Sequence, residues 1–249
     1  ALDWAIWAIG RLFLVAIVLR IIPWAEMFND LTIYSRWVED VLSQGRFPHD
    51  EMWQYPPLAA PVMVLGAVLP GEAAGFVLLL LGVDAAIMAM VAGQARRRGP
   101  TSGRRLWALV PLVVGPLLLA RFDVVPTALA VAAVVLAARP GASGAVAGIG
   151  AWVKVWPILV VAGVRRRDLP GAALGVVIAS VVIAGVLVAT TTDPLSFLGG
   201  QRDRGLQIES IAALPFLVGR AAGLDVEVMY RYGAHEVQAG GAAAVAGAL

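Results

Sequence analysis

Acidic and aromatic side chains gather in one polar stretch, residues 28–58, between two apolar segments. Asp30 lies at its start, where the first apolar segment ends. A carboxylate fixed at a membrane surface can act as a general base that accepts a proton from an attacking hydroxyl group. Asp is also a preferred helix N-cap, and the two roles are compatible because capping holds the carboxylate in place. Asp30 is therefore the first candidate catalytic residue.

Cations that could hold an anion occur at separate places along the chain. Lys154 lies in the middle of an apolar segment, where a cation is costly unless it is paired or hydrated. A lysine beneath an external loop suits a phosphate group. Arg121 and Arg204 are further candidates for the same anion. Each arginine alone is also consistent with a solvated or interfacial charge.

The run from Arg204 to Ser210 places a cation, an amide, a carboxylate and a hydroxyl close together. Such a set suits sugar hydroxyls, although an ordinary loop can have the same composition. The substrate-binding candidates in this run are Gln207, Glu209 and Ser210.

Aromatic side chains at Trp53 and Tyr55 could stack on a sugar or a lipid, although aromatic residues also collect at membrane interfaces. His49 is followed by two acids, which is a weak signal for a metal. We therefore predict neither a metal nor a cofactor.

Composition sets the class of protein that must position these residues. The chain is 60% hydrophobic and 14% charged, whereas soluble domains are nearer a quarter charged, which predicts an integral membrane protein. Long apolar runs predict helices rather than a barrel. Basic clusters stand at the ends of apolar segments, so they indicate topology rather than nucleic-acid binding. With no cysteine, disulfides and thiolate metal sites are excluded.

Hydrophobicity divides the chain into helices of different kinds. An amphipathic pattern after Asp30 predicts a helix that lies in the interface, because it is too short and too polar to span. The predicted spans are Trp4–Trp24, Gly71–Gln94, Leu106–Ala120, Val124–Ala138 and Gly171–Ala189. We therefore expect an all-α, polytopic membrane protein.

The positive-inside rule, by which basic loops stay on the cytoplasmic side, constrains how residues 144–164 cross the membrane. One ordinary span there would place Arg165–Arg167 on the side opposite the other basic loops. A hairpin that turns back at Lys154–Pro157 removes the conflict, and a lysine beside a proline is typical of a broken helix lining a polar cavity.

This topology leaves two external loops, residues 25–70 and 190–225, within a single module spanning 1–249. The apolar segment Leu58–Leu69 then stays outside. The sequence begins without Met and stops in a Gly/Ala-rich apolar run, so we expect a C-terminally truncated fragment of a longer protein.

The order of these features resembles a known family. An acid after the first span, an interfacial helix, a Tyr-Pro-Pro-Leu element at 55–58, a Lys-x-x-Pro hairpin and a Gln-x-Glu-Ser loop together resemble membrane glycosyltransferases of the GT-C fold. The chain is most similar to glycosyltransferase family 87, which includes actinobacterial polyprenol-phosphate-mannose-dependent α-mannosyltransferases and a related arabinofuranosyltransferase.

The resemblance implies a multi-pass plasma-membrane enzyme with an extracytoplasmic active site. Its donor would be a polyprenyl-phosphate-linked sugar, its acceptor a glycolipid or cell-envelope polysaccharide, and its transfer inverting, with Asp30 as base. Lys154 and Arg204 would bind the donor phosphate, and Gln207 and Glu209 the sugar or acceptor. Mannose is the expected sugar and arabinofuranose the alternative within the fold. The resemblance also implies that the family's usual C-terminal helices are missing from this fragment.

Two other readings stay open from the sequence. A secondary transporter would use the broken helix with Asp84 and Lys154 inside the membrane, although no internal duplication is visible. A non-catalytic membrane subunit would keep the fold without the chemistry.

Overall fold

The structure is a computed structural model that is mostly helical, with 74% of its residues in helices. It describes residues 2–23, 29–45, 53–71, 73–99, 102–190, 197, 205–231 and 234–248. Two compact units are present. The first comprises residues 1–47 and 55–192, and the second comprises residues 48–54 and 193–249.

The first unit begins with helix α1, Leu2–Val18, and the amphipathic helix α2, Asn29–Gln44. Helix α1 is shorter than the span predicted to reach Trp24, because the chain turns at Arg20, which has a φ of 59°. In α2 the predicted apolar face is present. It buries Tyr34, Trp37 and Val38, whereas Leu42 at its end is exposed.

The next helices are α3, Ala59–Ala67, the long α4, Ala73–Arg98, and α5, Gly103–Val114. The prediction of one helix over 106–120 was wrong. The chain breaks at Gly115, whose φ of 70° is easily reached only without a side chain, and at Pro116. A short helix α6, Leu117–Ala120, follows the break and ends beside Arg121.

Helix α7, Val124–Val135, and helix α8, Pro140–Val153, form an antiparallel pair. Helix α8 ends at Val153, and the backbone of the next residue, Lys154, is extended. The chain then returns as a 3₁₀ helix, Trp156–Gly163, which we call the return segment. Pro140 and Arg165 line the same cavity, so the chain after the return segment is back at the end where α8 began. The predicted break and reversal at Lys154–Pro157 is thus confirmed.

Helix α9, Leu169–Thr190, runs parallel to α8, which only a reversal between them permits. Contacts advance in step along both helices: Gly144 meets Ala172, Gly148 meets Val176, and Trp152 Nε1 donates to Ser180 Oγ at 3.1 Å. A Cβ added at Gly144 would lie 1.9 Å from the Ala172 carbonyl oxygen. Glycine therefore allows the two backbones to touch, as in closely packed membrane helices.

Among the described residues, two helical segments are long and apolar enough to cross a membrane, Ala73–Arg97 and Arg166–Thr190. The second exposes large aliphatic side chains along its length, among them Leu174, Val181 and Val188. Water disfavours so continuous an apolar surface, whereas lipid does not.

The second unit contains a three-stranded antiparallel sheet in the order β1–β3–β2, where β1 is Leu206–Gln207, β2 is Glu227–Arg231 and β3 is Ala234–Gln238. Its helices are α10, Leu214–Ala221, and α11, Ala242–Gly247. Leu206, Ala213, Val237 and Ala242 form its core. The sequence-based prediction of helices alone missed this sheet.

Candidate functional site

The turn between α6 and α7 places two opposite charges on one short stretch of chain. Arg121 is extended, Phe122 is fully buried, and Asp123 occupies the N-cap position of α7. The Asp123 carboxylate makes no capping hydrogen bond to its helix. It is therefore available to a partner elsewhere in the unit.

Asp30 lies in the first turn of α2 and is paired with Arg121. Arg121 Nε donates to Asp30 Oδ2 at 2.9 Å, across 91 positions of sequence. The carboxylate side chain is 21% exposed and the guanidinium 35% exposed. Asp30 is thus fixed in orientation yet reachable, as a base acting on a bound hydroxyl must be.

Lys154 is paired with Asp123, to which its ammonium group donates a short hydrogen bond. Lys154 reaches the site because α8 stops at Val153 and the next residue turns out of the helix. The N–H of Leu58 donates to the Trp152 carbonyl at 3.0 Å, which fixes the Tyr-Pro-Pro-Leu element against this helix end. Sequence analysis singled out Lys154 but missed Asp123.

An aromatic cluster lies beneath both ion pairs. Tyr55 packs edge-on against Phe122, with ring centroids 4.9 Å apart. The Lys154 Nζ atom lies 5.9 Å from the Tyr55 ring centroid and 5.7 Å from that of Phe122. Cation–π attraction of this kind helps hold a partly desolvated ammonium group. The cluster consists of Tyr34, Trp37, Tyr55, Phe76 and Phe122.

The two tyrosines of this cluster are poor acids. Burial, followed by the negative charges of Asp123 and Asp30, raises the pKa of Tyr55 to about 12. Burial likewise raises the pKa of Tyr34 well above its usual value of 10, with Tyr55 and both carboxylates adding to the effect. Both phenols therefore stay protonated at neutral pH and can donate hydrogen bonds. Tyr34 follows Asp30 by one turn of α2, and Phe122 stands between Arg121 and Asp123, so both ion pairs adjoin the aromatic cluster.

A groove of about 230 Å³ adjoins this cluster between α2, α3 and α4. Tyr34 and Phe76 belong to both the groove and the cluster. The remaining walls are largely apolar, formed by Leu31, Ser35, Val38, Met63, Ala67 and Ala73. An apolar chain could therefore lie beside the charged groups.

The other predicted site residues belong to the second unit or lie outside the described residues. Gln207 is in β1 opposite Glu236 of β3, and Glu209 and Ser210 follow in the turn after it. The backbone N–H of Ser210 donates to the Gln207 carbonyl at 3.0 Å. Trp53 is buried. Arg204 lies outside the described residues, and the convergence of this group on Asp30 stays a prediction.

Two charges predicted to lie in the membrane form a separate buried cluster. Arg11 Nε donates to Asp84 Oδ2 at 2.8 Å, and both side chains are almost fully buried. Indole N–H groups of Trp7 and Trp107 also donate to this carboxylate, at 2.6 and 2.9 Å. Arg11 therefore does not extend to the membrane interface, because Asp84 on α4 neutralises it inside the helix bundle.

Within the ranges that the structure describes, no three His, Asp or Glu side chains form a group that could hold a metal ion. The two carboxylates of the site, Asp30 and Asp123, are each paired with a cation, Arg121 and Lys154.

Two apolar helices of spanning length among the described residues are features of a membrane-associated protein. The family model of glycosyltransferase family 87 matches residues 53–249, which is most of the chain. The chain therefore belongs to glycosyltransferase family 87. No curated protein and no solved structure matched it.

Proposed function

We propose that this protein transfers a sugar from a polyprenyl-phosphate donor to a glycolipid or cell-envelope glycan on the extracytoplasmic side of the plasma membrane. The transfer inverts the anomeric centre, within a GT-C type helical bundle. The observation that carries the proposal is the Asp30–Arg121 pair beside the Asp123–Lys154 pair, both around one aromatic cluster. Membership of a glycosyltransferase family disfavours the transporter alternative.

Asp30 acts as the general base. The acceptor hydroxyl oxygen forms a bond to the anomeric carbon of the donor sugar and gives its proton to the Asp30 carboxylate. The bond between the anomeric carbon and the phosphate oxygen breaks, and its electron pair leaves with the polyprenyl phosphate. Arg121 holds the base in a defined orientation through the 2.9 Å hydrogen bond.

Cations stabilise the leaving phosphate. Its negative charge grows as the glycosidic bond breaks, and fixed positive groups lower the energy of that transition state. Lys154 binds a phosphate oxygen and Arg121 a second one, and Arg204 is proposed to complete the group. The protonated Tyr55 phenol is suited to donate a hydrogen bond nearby. Asp123 holds Lys154 in place before the donor arrives.

The lipid part of the donor fits the apolar groove beside the aromatic cluster. Tyr34 and Phe76 form a wall shared by groove and cluster, so a chain in the groove would bring its phosphate toward the ion pairs. The groove measures about 230 Å³, which accommodates only the first part of an isoprenoid chain and leaves the rest to the bilayer. Gln207, Glu209, Ser210 and Trp53 are proposed to bind sugar or acceptor.

A transfer assay with the full-length protein tests the proposal. Purified protein is incubated with an acceptor membrane extract and either polyprenyl-phosphate mannose or polyprenyl-phosphate arabinofuranose. We expect transfer from the mannose donor, and loss of donor binding in Lys154→Gln. Arg36→Gln, an exposed cation on α2, serves as the charge control. Transfer from a sugar nucleotide alone, or from neither lipid donor, would refute the donor assignment.

A further inference from the structure

A second cavity, of about 710 Å³, lies at the opposite end of α7 and α8 from the ion pairs. The ion pairs adjoin the start of α7 and the end of α8, whereas this cavity is lined by Val134 near the end of α7 and by Pro140 at the start of α8. Helix α7 has 12 residues, so roughly 18 Å of helix separates the two sites. The cavity is thus distinct from the proposed active site.

The walls of this cavity are aliphatic and its rim is basic. Leu159, Val160 and Gly163 of the return segment form one wall, and Arg165 and Arg167 stand at the rim. Arg167 is 3.7 Å from Asp168, and the Arg167 side chain remains 74% exposed. Two neighbouring residues in the chain, Arg139 and Arg166, are also exposed. Positive charge therefore exceeds negative charge around the opening of the cavity.

We propose that this cavity binds one anionic phospholipid, with its phosphate on Arg165 and Arg167 and the upper part of an acyl chain against the aliphatic wall. A soluble anion would not use that wall, and a neutral lipid would not need the arginines. The proposed topology places this end of α7 and α8 at the cytoplasmic leaflet, which carries anionic lipids. The inference rests on that topology but not on the proposed reaction.

Occupancy has a consequence for the return segment. This segment starts two residues after Lys154 and lines the cavity at its other end. A lipid that packs against Leu159 and Gly163 therefore stabilises the segment that fixes the end of α8. We expect the bound lipid to raise the thermal stability of the whole first unit.

The test uses full-length protein in a neutral detergent, titrated with phosphatidylglycerol or phosphatidylcholine. Lipid adducts are counted by native mass spectrometry, and unfolding is followed by temperature. Wild-type protein should retain one phosphatidylglycerol and unfold at a higher temperature with it. Arg165→Gln/Arg167→Gln should bind it roughly twenty-five-fold more weakly, about fivefold for each arginine.

Two further variants distinguish binding in this cavity from nonspecific attraction of the lipid to positive charge. Arg96→Gln/Arg97→Gln removes two exposed arginines at the end of α4, outside the cavity, and should bind like wild type. Gly163→Leu keeps every arginine but adds a side chain to the wall of the cavity, since a Cβ at Gly163 meets no atom within 4 Å. It should weaken binding of the lipid. Equal loss in both arginine doubles, full binding in Gly163→Leu, or an equal temperature shift with glycerol 3-phosphate would overturn the proposal.

Discussion

Arg121 Nε donates to the Asp30 carboxylate at 2.9 Å, and this bond joins the turn after α6 to the first turn of α2. Two residues later in the chain, Asp123 forms an ion pair with the ammonium group of Lys154. Asp30 and Asp123 are thereby each matched with a cation, and Arg121 and Lys154 are each occupied by an acid. An incoming donor phosphate must share or displace these carboxylates.

Asp123→Asn tests this competition. Removing the carboxylate frees Lys154 and takes away a negative charge near the donor phosphate. We expect the KM for the donor to fall about fivefold, equivalent to about 1 kcal/mol, while kcat falls because Lys154 is less well held. Initial-rate kinetics over a range of donor concentrations measure both. A raised donor KM would show that Asp123 supports donor binding directly.

Gly144→Ala tests the contact between α8 and α9. The added Cβ would lie 1.9 Å from a backbone carbonyl oxygen, which cannot move away as a flexible side chain can. We expect a loss of about 1–3 kcal/mol in the free energy of unfolding, typical of overpacking. Gly185→Ala on α9 is the matched control, since its Cβ meets no atom within 4 Å. Equal midpoints of thermal unfolding for the two variants would contradict the close approach.

Asp84→Leu tests the buried cluster. It leaves the Arg11 guanidinium without its carboxylate in an apolar interior, which costs about 3 kcal/mol or more. The double variant Arg11→Met/Asp84→Leu should recover part of that loss, because the stranded cation is gone. Two indole N–H groups still lose their acceptor. Thermal unfolding measures stability, and an unchanged donor KM in the double variant would separate this cluster from the active site.

Tyr55 offers a test by pH. Its pKa is about 12 in the folded protein against 10.0 without these surroundings. Because the folded value is raised, its contribution to stability is complete below pH 10 and is lost as pH rises through about 12. The ultraviolet difference titration of wild type minus Tyr55→Phe should therefore show a phenolate step near pH 12. A step near pH 10 would mean that Tyr55 is neither buried nor close to the carboxylates.

Local patterns in the sequence predicted several elements. The amphipathic spacing after Asp30 predicted α2, because one helix face repeats its apolar residues. The conflict between basic clusters predicted the reversal at Lys154, because only a hairpin keeps Arg165–Arg167 on the side of Arg139. The first prediction required only the spacing of nearby residues, and the second required only the distribution of basic residues along the chain.

Pairing across the chain could not be predicted in the same way. Asp123 had no visible partner, because Lys154 meets it only when α7 and α8 fold together. The Arg11–Asp84 pair likewise joins α1 to α4. The sheet of the second unit was missed because its strands are short. Val226, Val228 and Tyr230 nevertheless occupy every second position, which is the spacing of one face of a strand.

The most direct test of the central claim is sugar transfer by Asp30→Asn in the full-length protein. The amide keeps the shape of the side chain but cannot accept the hydroxyl proton, so kcat should fall roughly a hundredfold or more while expression persists. Asp40→Asn, an acid on the same helix that accepts a hydrogen bond from Gln44, should transfer at the wild-type rate. Full transfer by Asp30→Asn would contradict its role as the general base.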